Sequence, residues 1–180
     1  MEKGIKLLVW GLLFLLIDIR IITIDLVHDG IGYILLYKGM QELPHSKWLS
    51  YAKTAAVILG VLSITEIFGF TNINLNQAGQ DVTWHVIIGG IVSFLSLFFH
   101  MNLLSALQEA VNNEDDFHRS LSGFKTFYLV FNLITIMALP PILIFNDIVS
   151  YFLVASLLIG VVVEIVYIVK VNSLKEIETA

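Results

Sequence analysis

The stretch Leu15–Met40, LLIDIRIITIDLVHDGIGYILLYKGM, decides how this chain is organised, because it lies between apolar runs yet carries Asp18, Arg20, Asp25, His28 and Asp29. Two arrangements compete for it: one long crossing from Ile5 to Met40, or a short apolar segment outward, a charged connection and a short segment back. The basic residues separate them. With the hairpin, Lys3, Lys6, Lys38, Lys47, Lys53, Arg119, Lys125, Lys170 and Lys175 all fall on the cytoplasmic side of a membrane, and Arg20 alone lies outside. A single long crossing would strand Lys38, Lys47 and Lys53 on the wrong side. The hairpin is therefore the reading to carry forward.

Composition sets the solvent in which this matters. The chain is 57% hydrophobic and 14% charged, with a mean hydropathy of +0.86, which is far from the make-up of a soluble domain and implies a lipid bilayer as the principal partner. The opening MEKGIKLLVWGLLFLLI has the basic-then-apolar order of a signal peptide, but no alanine precedes Ala52 and no small-x-small cleavage site follows. It is expected to stay as the first membrane helix. A net charge of −5 without a basic cluster argues against nucleic acid, and the absence of cysteine removes disulfides, thiolate metal sites and cysteine nucleophiles.

Outward from the opening stretch, long apolar runs predict further crossings of about 20 residues each. The expected architecture is an all-α membrane protein, a single polytopic domain over residues 1–180. Six spans are placed at about 5–17, 29–41, 54–70, 84–107, 124–145 and 148–171, with both termini cytoplasmic in a cell membrane. Between the first two, Asp18-Ile19-Arg20-Ile21 and Ile22-Thr23-Ile24-Asp25-Leu26 alternate polar with apolar or β-branched residues, the period of an extended segment. The connection is therefore read as extended or β-like and held at the outer surface, since open strand edges are not tolerated in hydrocarbon. Arg20 is expected to pair with Asp18 or Asp25, and Asp29 to cap the returning helix. Trp48 and Trp84 fall at opposite interfaces, and Pro140-Pro141 should bend or end the fifth span.

The pattern Ile17-Asp18-Ile19-Arg20-Ile21, Ile24-Asp25-Leu26, then Asp29-x-Ile31-Gly32-Tyr33-Ile34-Leu35 and Gly39 resembles uncharacterised small integral membrane proteins of Bacillota. Those relatives often carry Asn-Gly and Leu-Pro where this chain has Ile22-Thr23 and Val27-His28. The resemblance covers the first forty residues and implies a membrane address without an activity.

Packing signals follow along the chain: Ala52, Ala56 and Gly60; Gly89 and Ser93; Ser156 and Gly160 each recur at four-residue spacing, which lets membrane helices approach closely. They are expected to pack the bundle, the alternative being a face for a second copy or a partner membrane protein. No repeat links the two halves of the chain, so an inverted-repeat transporter is unsupported.

Ionisable groups inside a membrane cost about 2.5–3.5 kcal/mol at a helix centre and need a partner or a use. By depth they fall into two groups. Asp18, Arg20, Asp25, His28, Asp29, Glu66 and His85 form a candidate outer polar cluster, read as a site for a small solute or ion or as wet charges neutralised in part by Arg20. His100 and Glu164 form a candidate inner pair, expected to meet through a direct or water-mediated hydrogen bond. Neither group has the paired His or Cys spacing of a metal site, and no cofactor motif is present. HExxH, GxSxG and P-loop patterns are absent as well. Two functions stand: a non-enzymatic transport, solute-binding or accessory component of the membrane, and a small membrane-embedded enzyme acting on a lipid-soluble substrate with acid and base from the outer groups.

Overall fold

A computed structural model describes the backbone of residues 1–17, 20–21, 24–25, 29–67, 81–111, 115–142 and 146–179, and the side chains within 1–17, 29–64, 87–111, 117–137 and 155–175. The fold is helical: α1 (Glu2–Leu16), α2 (Asp29–Gln41), α3 (Lys47–Ile67), α4 (Asp81–Ala110), α5 (Asp115–Ile142) and α6 (Asn146–Thr179). Among the described residues three stretches are long and apolar enough to cross a membrane, Ile87–Ala110, Phe117–Met137 and Ala155–Lys175. Between α1 and α2, the two-residue strands β1 (Arg20–Ile21) and β2 (Ile24–Asp25) run antiparallel with Arg20 opposite Asp25 and Ile21 opposite Ile24.

Local chemistry explains where several helices begin and end. Ser46 Oγ accepts the Leu49 N–H at 3.1 Å, so α3 starts seven residues before the apolar run that marked its expected span. Asp115 and Asp116 stand at the start of α5, where carboxylates favour the positive end of the helix dipole, and the helix begins well before Phe124. It ends at Ile142, one residue past Pro140-Pro141.

Each helix packs on its neighbour in sequence and α6 packs back on α1, which closes the six helices into a ring. Neighbours run antiparallel where side chains mark the register: Gln108 Nε2 lies 3.1 Å from His118 Nε2 across α4 and α5, and Lys170 donates to Ser120 at 2.7 Å across α6 and α5.

The tightest contact is between α1 and α2, and it is made by backbone. A Cβ added at Gly4 would stand 2.8 Å from the Gly39 carbonyl oxygen, and one at Gly39 would stand 2.8 Å from that of Gly4. One at Gly11 would stand 2.9 Å from the Gly32 carbonyl, and one at Gly32 would stand 3.1 Å from that of Gly11. Each helix thus places two glycines seven residues apart, two turns on one face, and the antiparallel hairpin matches them crosswise. At the end of the hairpin away from its connection Lys3 Nζ bonds Glu42 Oε1 at 2.6 Å. That hydrogen bond, then the lysine charge, holds the Glu42 carboxyl below the usual glutamate range. The clasp is in place at neutral pH and is lost as pH falls through that lowered range.

The packed core occupies one end of the ring: Ile5, Leu8, Leu36, Met40, Phe99, Leu103, Tyr128, Tyr167 and Val171 are all nearly or fully buried. Large apolar side chains on the outer surface of the ring, among them Ile91, Phe94, Ile134, Leu157 and Val162, are exposed. This arrangement, apolar outside and polar groups such as His100, Asn102 and Ser63 within, suits a lipid surround. Helix-borne hydroxyls and amides bond their own backbone: Asn102 Nδ2 donates to the Phe98 carbonyl at 2.7 Å and Ser105 Oγ to that of Met101 at 2.7 Å.

The small-residue spacings divide in outcome. Ala52 and Ala56 are buried, and a Cβ at Gly60 would meet Tyr33 at 3.3 Å, so that stripe packs α3 as expected. Gly89 and Gly160 differ from the expectation, since a Cβ at either would meet nothing within 4 Å. Neither of those glycines mediates close packing among the described residues.

Candidate functional site

α1 and α2 are short, 15 and 13 residues against 30 in α4 and 34 in α6. At 1.5 Å per residue α1 rises about 22 Å, and the stretch of α6 from Asn146 to Gly160 alone covers about 21 Å. The hairpin therefore fills only part of the ring's length. Where it stops, a cavity of about 370 Å³ opens between α1, α2, α4 and α6. Leu12, Leu15 and Leu16 of α1 and Val161 of α6 supply its apolar wall. Asp29, Tyr33, Ser96, His100 and Glu164 supply its polar one.

One member of the outer group, Asp29, thus joins the inner pair. Asp29, expected at the outer surface, is the first residue of α2 and lines the same cavity as His100 and Glu164. The physical reason is the length of α1, which carries the chain only to the level of Ser96 and Gly160. Of the remaining outer residues, Glu66 lies in α3 and His85 in α4 by backbone, and Arg20 and Asp25 face each other across the two-residue ladder. Their side chains, with Asp18 and His28 altogether, lie outside the described residues, as does the side chain of Trp84.

His100 and Glu164 come together around the cavity, but each has a neighbour the sequence did not single out. Glu164 Oε1 accepts the Tyr128 hydroxyl at 2.7 Å, a bond that joins α6 to α5. Glu164 does not reach Lys170, which donates to Ser120, and Asn102 turns to Phe98 rather than to His100. The His100 ring, 6% exposed, packs among Phe99, Tyr128 and Tyr167 with centroids at 4.9, 5.5 and 5.3 Å. Its Nδ1 is buried without a hydrogen-bond partner, and so is the Tyr167 hydroxyl. An aromatic box around an imidazole fixes the ring while leaving a nitrogen to satisfy. Tyr128 and Tyr167 were legible only as aromatic members of apolar runs; the available signal was that a phenol buried in such a run needs a partner for its hydroxyl.

A second hollow, about 450 Å³, lies between α2 and α3 against Ile31, Ile34, Tyr37, Val57, Val61 and Ile64. It is larger but almost wholly apolar, and several of its residues are exposed on the outer face of the ring. It fits hydrocarbon chains, whereas the polar cavity gathers the groups able to do chemistry. Among the described residues no three His, Asp or Glu side chains stand close enough to hold a metal ion. Comparison with protein-family models, curated proteins and solved structures finds no match to this chain.

Proposed function

We propose that this chain is a non-enzymatic, solute-binding component of a cell membrane, serving transport or an accessory role. The observation that carries this reading is the 370 Å³ cavity, which brings the side chains of Asp29, Ser96, His100 and Glu164 together against an apolar wall. That volume lies within the range of small-molecule sites, and a few polar groups set in an apolar lining are their usual composition. Such groups held within a bundle are costly unless they are used.

The same proposal includes six membrane segments, both chain ends on the cytoplasmic side, and kinship with the small Bacillota membrane proteins. α1 and α2 rise about 22 and 20 Å against a hydrocarbon core of about 30 Å. The Arg20–Asp25 register supports an extended connection that continues the helical hairpin outward. Because the chain has no cysteine, single cysteines at Thr23, Gln77 and Asn146 are expected to label from outside intact cells, and one at Asn113 only after permeabilisation. Outside labelling at Asn113, or labelling at Met40 without Thr23, overturns this topology.

Binding is tested on the purified full chain in non-ionic detergent by equilibrium dialysis against three six-carbon probes: hexylamine, hexanol and hexanoate. At least one is expected to bind saturably. Gly160→Leu should abolish that binding, because a Cβ there meets nothing within 4 Å and the position borders the cavity. Gly123→Leu, equally unobstructed and away from the cavity, should not. No saturable binding of any probe, or binding indifferent to Gly160→Leu, would sink the reading.

A further inference from the structure

We infer that the apolar groove between α2 and α3 is a site for an anionic phospholipid of the surrounding bilayer, with an acyl chain along the groove and the phosphate at Lys38 and Lys53. The inference is independent of the solute-binding reading. It rests on the membrane placement of α2 and α3 proposed above, which cysteine labelling tests by itself. Ile31, Ile34, Val57, Val61 and Ile64 wall the groove of about 450 Å³, and among the described residues Lys38 alone brings a charge to its border. Those five apolar side chains are each about half exposed, so the groove opens on the outer face of the ring.

The register of the two helices brings a second lysine to the same end. A Cβ at Gly60 would meet the Tyr33 Cβ at 3.3 Å, which sets Gly60 of α3 level with Tyr33 of α2. The helices are joined by the short connection 42–46 and so run antiparallel. From that level toward the connection, Lys38 lies five residues along α2, about 7.5 Å, and Lys53 seven residues along α3, about 10.5 Å. Positions 53, 57, 60 and 64 follow the spacing of one side of a helix, so Lys53 continues the groove's face of α3. Both lysines stand on the hydrocarbon side of Trp48, which is about 7.5 Å nearer the connection than Lys53 and has the Lys47 ammonium 4.6 Å over its ring. A lysine at that depth must run its stem toward the head groups or meet an anion at their edge. Among the described residues neither lysine forms an ion pair: Glu42, near the same connection, pairs with Lys3, and Glu2 with Lys6. No Asp or Glu among them borders the groove. A phosphate diester supplies the complementary charge and acceptor oxygens, and its acyl chain covers the apolar length that a soluble anion would leave wet.

The test uses the purified full chain, delipidated in dodecyl maltoside and titrated with dioleoyl phosphatidylglycerol or dioleoyl phosphatidylcholine, with bound lipid counted by native mass spectrometry. The two lipids share their chains and phosphate and differ in net charge. Phosphatidylglycerol is expected to bind about tenfold more tightly, the scale of one charge-assisted contact. Lys38→Gln combined with Lys53→Gln should remove that preference and leave phosphatidylcholine unchanged, whereas Lys125→Gln, the same loss of charge on α5, should keep it. Val61→Trp should weaken both lipids several-fold by filling the groove, and at 59% exposure the new ring does not disturb the core. Leu157→Trp, on the exposed face of α6, should weaken neither. Equal affinity for the two lipids, an effect of Lys125→Gln as large as that of the double change, or binding indifferent to Val61→Trp overturns the inference and leaves the solute-binding reading standing.

Discussion

Gly11→Ala and Gly39→Ala are each expected to destabilise the folded protein by about 1–3 kcal/mol, although both replace glycine with the best helix former. At Gly11 the new methyl would stand 2.6 Å from Leu36 Cγ and 2.9 Å from the Gly32 carbonyl oxygen. Leu36 is completely buried, so it has nowhere to go. At Gly39 the obstacle is the Gly4 carbonyl oxygen at 2.8 Å, and backbone yields only if the helices separate. Gly123→Ala is the control: nothing lies within 4 Å of its Cβ, and the change should stabilise by about 0.5–1 kcal/mol through helix propensity. Thermal unfolding of the three variants in one detergent decides the matter. If Gly11→Ala proves as harmless as Gly123→Ala, the first two helices are not packed backbone to backbone and the level assigned to Asp29 loses its basis.

Those glycines also show what could be read from the sequence. The helical runs were visible in the apolar pattern, and α2 occupies the residues expected of it, Asp29–Gln41. The spacing of Gly4 and Gly11, mirrored by Gly32 and Gly39, was equally visible but acquires meaning only once the two segments are laid antiparallel. Three-dimensional pairing, not local propensity, picks these four from the chain's 12 glycines. Small-residue spacing alone gave mixed guidance, since it marks where close approach is permitted and not where a neighbour exists. Ala56 has one, whereas Gly160 borders a cavity because α1 ends beside it.

Depth was the harder quantity. Counting residues inward from each helix end places Asp29 outside and Glu164 inside, and that is sound only if every apolar segment traverses the same thickness. A 15-residue helix beside a 34-residue one does not. His100 and Glu164 stood out in the sequence because they are rare ionisable residues in long apolar runs. The Tyr128 hydroxyl that Glu164 accepts did not, because a tyrosine in such a run looks like core until its hydroxyl is located.

Tyr128→Phe is expected to destabilise by about 1–3 kcal/mol, the range for leaving a sequestered polar group without its partner. The lost donor lies 2.7 Å from Glu164 Oε1, and among the described residues no lysine or arginine borders that carboxylate's cavity to replace it. Glu164→Leu should cost a similar amount for the reciprocal reason, as the Tyr128 hydroxyl is then left in a residue only 2% exposed. The double variant Tyr128→Phe with Glu164→Leu should be markedly less destabilised than the sum, because replacing both members of a polar pair with apolar groups removes the unsatisfied atoms along with the bond. Tyr167→Phe supplies the contrast within the same aromatic box. Its hydroxyl is buried without a partner, so its loss should be neutral or stabilising while the ring packing against His100 and Tyr128 is retained. Additive losses in the cycle, or equal losses from Tyr128→Phe and Tyr167→Phe, would mean that the hydrogen bond does not fasten α5 to α6.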